Sequence, residues 1–234
     1  AVVGLGVAGL IFLTIFNLPN TPLEPLKQIP YVGRLGNFLE TEGGTGKVRV
    51  LIWEGAIQLI KDDPVRTLIG YGPESMYVAY NKFYPPDLAH YEARNASPDR
   101  SHNETYDSLV ITGVLGFFAY WAVFYSFFYF ALTLLGLTRP AHRRWLYGAL
   151  MATGIVAFAL IYAQVLPLPL SPIFPLLGVV VLGGYLLFFV RGLFDTPAPG
   201  RRLGLYQTLI LAIFAAVLAH FIEIQFGIAI ASSR

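Results

Sequence analysis

Cysteine is absent from the 234-residue chain, which excludes disulfides, thiolate zinc sites and a cysteine nucleophile. Charge is scarce. Asp, Glu, Lys and Arg together make 13% of residues, about half the share of a soluble globular domain. A soluble domain of this size is therefore not expected. The net charge is only +2, so there is no electrostatic case for nucleic acid as a partner. What is present is apolar: 56% of residues are hydrophobic and 15% aromatic. An apolar surplus without charge points to a polytopic membrane protein with the lipid bilayer as its main solvent.

Five apolar runs qualify as transmembrane helices: 1–18, 108–137, 145–166, 172–191 and 205–224. The expected fold class is therefore all-α and polytopic, with at least five spans. The first run has no basic leader region and no A-x-A cleavage site, so it reads as a span rather than a signal peptide. The chain opens inside that run and stops just after another, as expected for a fragment of a longer protein. The 108–137 run exceeds one bilayer thickness at 1.5 Å per residue, so it is expected to start in the headgroup zone or to tilt. Its aromatic stripe, FFAYWAVFYSFFYF, reads as helix packing rather than a cofactor box. There is no internal repeat.

Between the first two spans lies the polar segment 19–107, with 12 of the 14 acidic and 9 of the 16 basic residues. It is the only part able to form a large water-facing loop. Topology follows from the short connections. Loop 138–144 carries Arg139, Arg143 and Arg144, and the 192–204 connection carries Arg201 and Arg202 just after Arg191. The positive-inside rule puts both in the cytoplasm. The uncharged 167–171 turn, segment 19–107 and the end of the last span then face outside, along one alternating path. Pro19, Pro22, Pro25 and Pro30 make the entry to the outer segment extended. Residues 47–61 read as an amphipathic helix in which Arg49, Trp53, Ala56 and Ile60 share a face. Asp62-Asp63-Pro64 ends it. Gly70 and Gly72 follow in a permissive turn, and residues 81–100 read as a loop over the membrane surface.

Chemistry concentrates in residues 97–116, where polar groups abut the start of a membrane helix. Ser101 or Asn103 is the expected helix cap, with Glu104 and Asp107 in the first turn. His102 then sits at the outer mouth of the bundle, and its near-neutral ordinary pKa suits general-base work. Arg49 and Arg100 are its candidate cationic partners, each a planar fork matched to phosphate oxygens. A solvated bystander histidine and a cation–π pair between Arg49 and Trp53 are the plainer alternatives. His220 and Glu223, near the outer end of the last span, either line an entrance to the site or simply pair with each other at i, i+3.

The order Arg49-x-x-x-Trp53, Pro64, Gly70-x-Gly72, His102-Asn103 and Gly113-x-x-Gly116 resembles the O-antigen ligase and polymerase superfamily. The likeness covers roughly residues 47–120, in an outside loop between two membrane helices as in that family. It implies glycan transfer without a metal or other cofactor at the outer face of a bacterial cytoplasmic (inner) membrane. The donor would be a glycan on a polyprenyl diphosphate, and the acceptor a hydroxyl on a lipid, glycan or protein. By the family pattern His102 would take the acceptor proton and Arg49 would bind the donor diphosphate. Arg100 or Arg94 would supply a second arginine, with Asn103, Trp53, Gly70 and Gly72 completing the substrate site. The polyprenyl tail would lie between helices along the run from Gly113. The competing expectation is a non-catalytic subunit or scaffold of a membrane complex, its aromatic helices packed against membrane protein partners.

Overall fold

The computed structural model describes residue 16 and residues 21–29, 44–93, 96–165, 174–194 and 204–225. These residues are helical, with no strand among them. A 3-10 turn at Glu24–Gln28 is followed by α1 (Gly44–Asp62), α2 (Pro64–Ile69) and α3 (Met76–Ala79). Two further 3-10 turns, Tyr80–Phe83 and Pro86–His90, lead toward α4 (Glu104–Leu134). The chain continues through α5 (Arg143–Ala163), α6 (Leu177–Phe194) and α7 (Leu205–Glu223). Helix α4 is the hub: α1, α2, α5 and α7 all pack against it, while α6 packs on α5.

Three helical segments are long and apolar enough to cross a membrane: Glu104–Leu134, Pro140–Ala163 and Leu205–Glu223. Their outward faces carry exposed Leu115, Val123, Phe130, Ile155 and Leu209, surfaces suited to lipid rather than water. The five expected spans are thus seen as three. The 1–18 run lies outside the described residues except Phe16, and so does the 167–171 turn. In the 172–191 run, Phe174–Leu187 is a shorter apolar helical stretch.

The 108–137 run starts earlier than its hydropathy suggests because Asn103 caps the helix, its side chain accepting from the Thr105 and Tyr106 amides. It is also not one straight rod. Gly113 stands at φ 67°, ψ −169° inside α4, a left-handed-side conformation open to glycine and costly to other residues. The break leaves residues 114–134 as a continuous segment of about 30 Å at 1.5 Å per residue, one bilayer core. Its length is therefore accommodated by a hinge.

Below the break, Phe117, Trp121, Tyr125 and Phe128 form a fully buried aromatic stripe on α4. Phe221 of α7 is ringed by Tyr120, Trp121, Phe124, Tyr125 and Phe128, with centroids 5.0–6.5 Å away. The polar handles are satisfied: Trp121 Nε1 donates to the Leu150 carbonyl at 3.2 Å and Tyr125 OH to the Pro175 carbonyl at 2.9 Å. Such rings contribute by burial and by edge-to-face geometry.

Helix α1 is amphipathic as expected, but its open polar stripe is narrow. Leu51, Ile52, Trp53, Ala56, Ile57, Leu59 and Ile60 are all buried, leaving chiefly Gln58 and Lys61 in the open. The cause is a cover on its outer side: the 80–83 and 86–90 turns pack on it, and Tyr80 OH donates to the Leu51 carbonyl at 3.2 Å. Segment 81–100 is accordingly partly helical and docked, not wholly a free loop. Asp63 separates α1 from α2, its Oδ1 accepting from Val65 N at 2.8 Å, with Pro64 opening α2.

Candidate active site

The site is built around one strained residue. His102 has φ 58°, a region in which a β-substituted residue is disfavoured by about 1–2 kcal/mol. Its neighbours hold it there. Ser101 and Asn103 are fully buried. The Ser101 amide donates to Asp107 Oδ1 at 2.7 Å, its hydroxyl donates to the Asn103 carbonyl at 2.8 Å, and its carbonyl accepts from Trp53 Nε1 at 2.8 Å. Asn103 caps α4 through Oδ1 and donates from Nδ2 to the Gln225 carbonyl at 2.6 Å. The imidazole between these clamped residues is half-buried.

Helix α1 supplies the rest. Trp53 stacks on Tyr106 with centroids 5.7 Å apart while its indole N–H pins Ser101. Arg49, one helical turn earlier, therefore shares that face and acts on His102 electrostatically. Burial first, and then the Arg49 charge, hold the His102 pKa below its ordinary value, against the opposing pull of Asp107, Asp99 and Glu92. Burial also lowers the pKa of Arg49, yet a guanidinium remains charged. The outcome is a neutral imidazole beside a fixed cation, the state a general base requires.

The other expected site residues fall elsewhere. Gly70 and Gly72 form a backbone junction with the α4 break: Tyr71 N donates to the Val110 carbonyl at 2.8 Å and Gly72 N to the Ile111 carbonyl at 2.9 Å. These carbonyls lie at the interrupted turn, so the glycine turn satisfies what the break exposes. A Cβ on Gly113 would stand 2.5 Å from Gly70 N and Leu68 O, so close approach explains Gly70 and Gly113, whereas Gly72 has open space around it and answers only to its φ of 102°. Asn103 is buried with both ends of its amide engaged, so it acts as a clamp. Arg100 pairs with Glu74 at 2.6 Å, and the two sit at the mouth of a 290 Å³ cleft that runs past Glu104, Ser108 and Thr112 to Gly116 and Tyr120. His102 and Arg49 are not part of its wall. Arg94 lies outside the described residues.

His220 and Glu223 pair with each other at 3.6 Å. They sit at the end of α7 that joins the His102 turn: the Glu104 amide donates to the Ile224 carbonyl at 2.9 Å, and Thr105 Oγ1 to Gln225 Oε1 at 2.7 Å. Sequence reasoning missed Gln225, which ties the last helix to the first turn of α4; no spacing links positions 103 and 225. It also left Asp107 as a helix-end acid, although its carboxylate holds the Ser101 amide. Among the described residues, no cluster of three or more His, Asp or Glu side chains is arranged to hold a metal ion. No family model matches the chain, and comparison with curated proteins and with solved structures gives no match.

Proposed function

We propose that the protein is a membrane glycan transferase of the O-antigen ligase and polymerase type. It moves a glycan from a polyprenyl diphosphate to an acceptor hydroxyl at the outer face of a bacterial inner membrane. In this reading the runs 1–18, 108–137, 145–166, 172–191 and 205–224 all cross the bilayer. Segment 19–107 lies outside, and loops 138–144 and 192–204 lie in the cytoplasm. The observation that carries the reading is the clamped His102, kept neutral by burial and by Arg49.

The step it supports balances simply. The acceptor oxygen bonds to the anomeric carbon while the bond from that carbon to the diphosphate oxygen breaks. His102 takes the acceptor proton, and the leaving diphosphate carries the negative charge away, held by the Arg49 fork. Direct displacement inverts the anomeric centre, and no carboxylate pair is needed, unlike ordinary glycoside hydrolysis. The cleft from Arg100 to Tyr120 begins two residues from His102.

His102→Ala removes only the proton acceptor, so transfer should fall by roughly 10²–10⁴ while the protein stays folded and inserted. Arg49→Lys should also be damaging, since an ammonium does not reproduce the bidentate fork. Full activity in the lysine variant would reduce Arg49 to a point charge. A second reading, a non-catalytic scaffold, draws on the packing roles that Trp53, Asn103 and Gly70 already have. Absence of transfer by the wild type with every polyprenyl-diphosphate donor tried would favour it.

A further inference from the structure

At the far end of α4 from His102 the chain carries a second cavity that the transfer reaction does not use. Its volume is 670 Å³, and Tyr129, Phe130, Pro140, Arg143, Arg144 and Tyr147 line it. The size falls within the roughly 300–1,000 Å³ usual for small-molecule sites. Its walls are aromatic. Tyr129 meets Tyr147 edge-on with centroids 5.1 Å apart, and Tyr147 OH bonds Ser126 Oγ at 3.1 Å. Its charge is of one sign. Arg143, which lines the cavity, is oriented by the bond from Nε to Thr138 Oγ1 at 3.2 Å. Arg144 lies over the Trp145 ring, 5.6 Å from its centroid.

Among the described residues no carboxylate pairs with these arginines. The sequence holds no Asp or Glu between Asp107 and Asp195. Their charge is therefore open to an anion at the membrane surface. The cavity lies where a membrane-crossing helix ends, beside exposed Phe130, Leu134 and Trp145, at the level where aromatic rings meet headgroups. An arginine fork matches phosphate oxygens, and aromatic walls suit the glycerol and upper acyl region beneath a headgroup. A topogenic basic loop needs positive charge alone; it needs neither an aromatic-walled cavity nor a guanidinium oriented by a threonine.

We propose that this cavity binds the phosphate headgroup of an anionic membrane phospholipid. The test uses the full chain in a neutral detergent, with phosphatidylglycerol as probe and binding followed by native mass spectrometry and by the shift in unfolding temperature. Phosphatidylglycerol should bind and raise the unfolding temperature; phosphatidylcholine and inorganic phosphate should do neither at the same concentration. Arg143→Gln and Arg144→Gln should each weaken binding about fivefold, and their combination about thirtyfold. Lys82→Gln, an equal loss of charge on an exposed residue paired with Asp62, should leave binding unchanged. Arg144→Lys retains the charge and guards against a variant that fails to fold: it should bind more weakly than wild type because the fork is gone. Equal binding by the double glutamine variant, an equal response to phosphatidylcholine, or an equal response to free phosphate would each overturn the lipid assignment. Because none of these readouts involves glycan transfer, the outcome is separate from the fate of the His102 reading.

Discussion

His102 carries two properties that can be separated by mutation. Its backbone is left-handed and its side chain is the proposed base. His102→Gly suits the backbone and His102→Ala does not, so the glycine variant should be the more stable by about 1 kcal/mol, while both lose transfer. Unfolding measured beside transfer checks this; equal stability would mean that the turn relaxes. The pH dependence has a definite sign. A base acts when neutral, and the His102 pKa is lowered by burial and then by Arg49. Activity should therefore persist at pH 6.5, the ordinary histidine value, with its acid limb below it. Arg49→Gln removes a cation, so the His102 titration should move upward, as an NMR titration of the imidazole would read. By linkage, the stability contributed by a neutral His102 is present above the unfolded value near 6.5 and is lost as pH falls through the lower folded value. The candidate base was legible from its place before a membrane helix. The clamp was not, because Asp107 and Gln225 act through backbone groups that leave no mark in residue spacing.

Among the elements, α4 decides the architecture, and Gly113 decides α4. Gly113→Ala meets a positive φ of 67° and the backbone of Leu68 and Gly70 at 2.5 Å. The expected cost is on the order of 3 kcal/mol, combining a strained backbone with overpacking. Denaturant unfolding in detergent reads it, and a wild-type midpoint would show that the hinge is dispensable. Aromatic content made the packing role of the run that holds Phe117, Trp121, Tyr125 and Phe128 legible, and the Asp63-Pro64 boundary could be read from local chemistry. The hinge could not, since an apolar run shows no interruption where the backbone turns on one glycine. The burial of α1 on nearly all sides was equally hidden: its cover, Tyr80 and Leu88, comes from a polar stretch whose short turns carry no helical period.

At the scale of the whole molecule, scarcity of charge made a helical membrane protein legible, and the three membrane-capable helices follow from it. What sequence could not supply is the joining of remote parts. The end of α7 fastens to the start of α4 through Asn103, Thr105 and Gln225, so the His220–Glu223 pair and the His102 turn share one end of the bundle. The absence of cysteine makes the proposed topology directly testable. Ala89→Cys and Ala141→Cys are both at exposed positions. A membrane-impermeant maleimide should label residue 89 in intact cells and residue 141 only after permeabilisation; the reverse pattern would invert the topology and remove the chemistry with it. The most direct test of the central claim is glycan transfer from a polyprenyl-diphosphate-linked donor by the membrane-embedded protein, wild type against His102→Ala at equal folded amount. The account predicts transfer by the wild type with inversion at the anomeric carbon and its loss in the variant. Undiminished turnover by His102→Ala would contradict it.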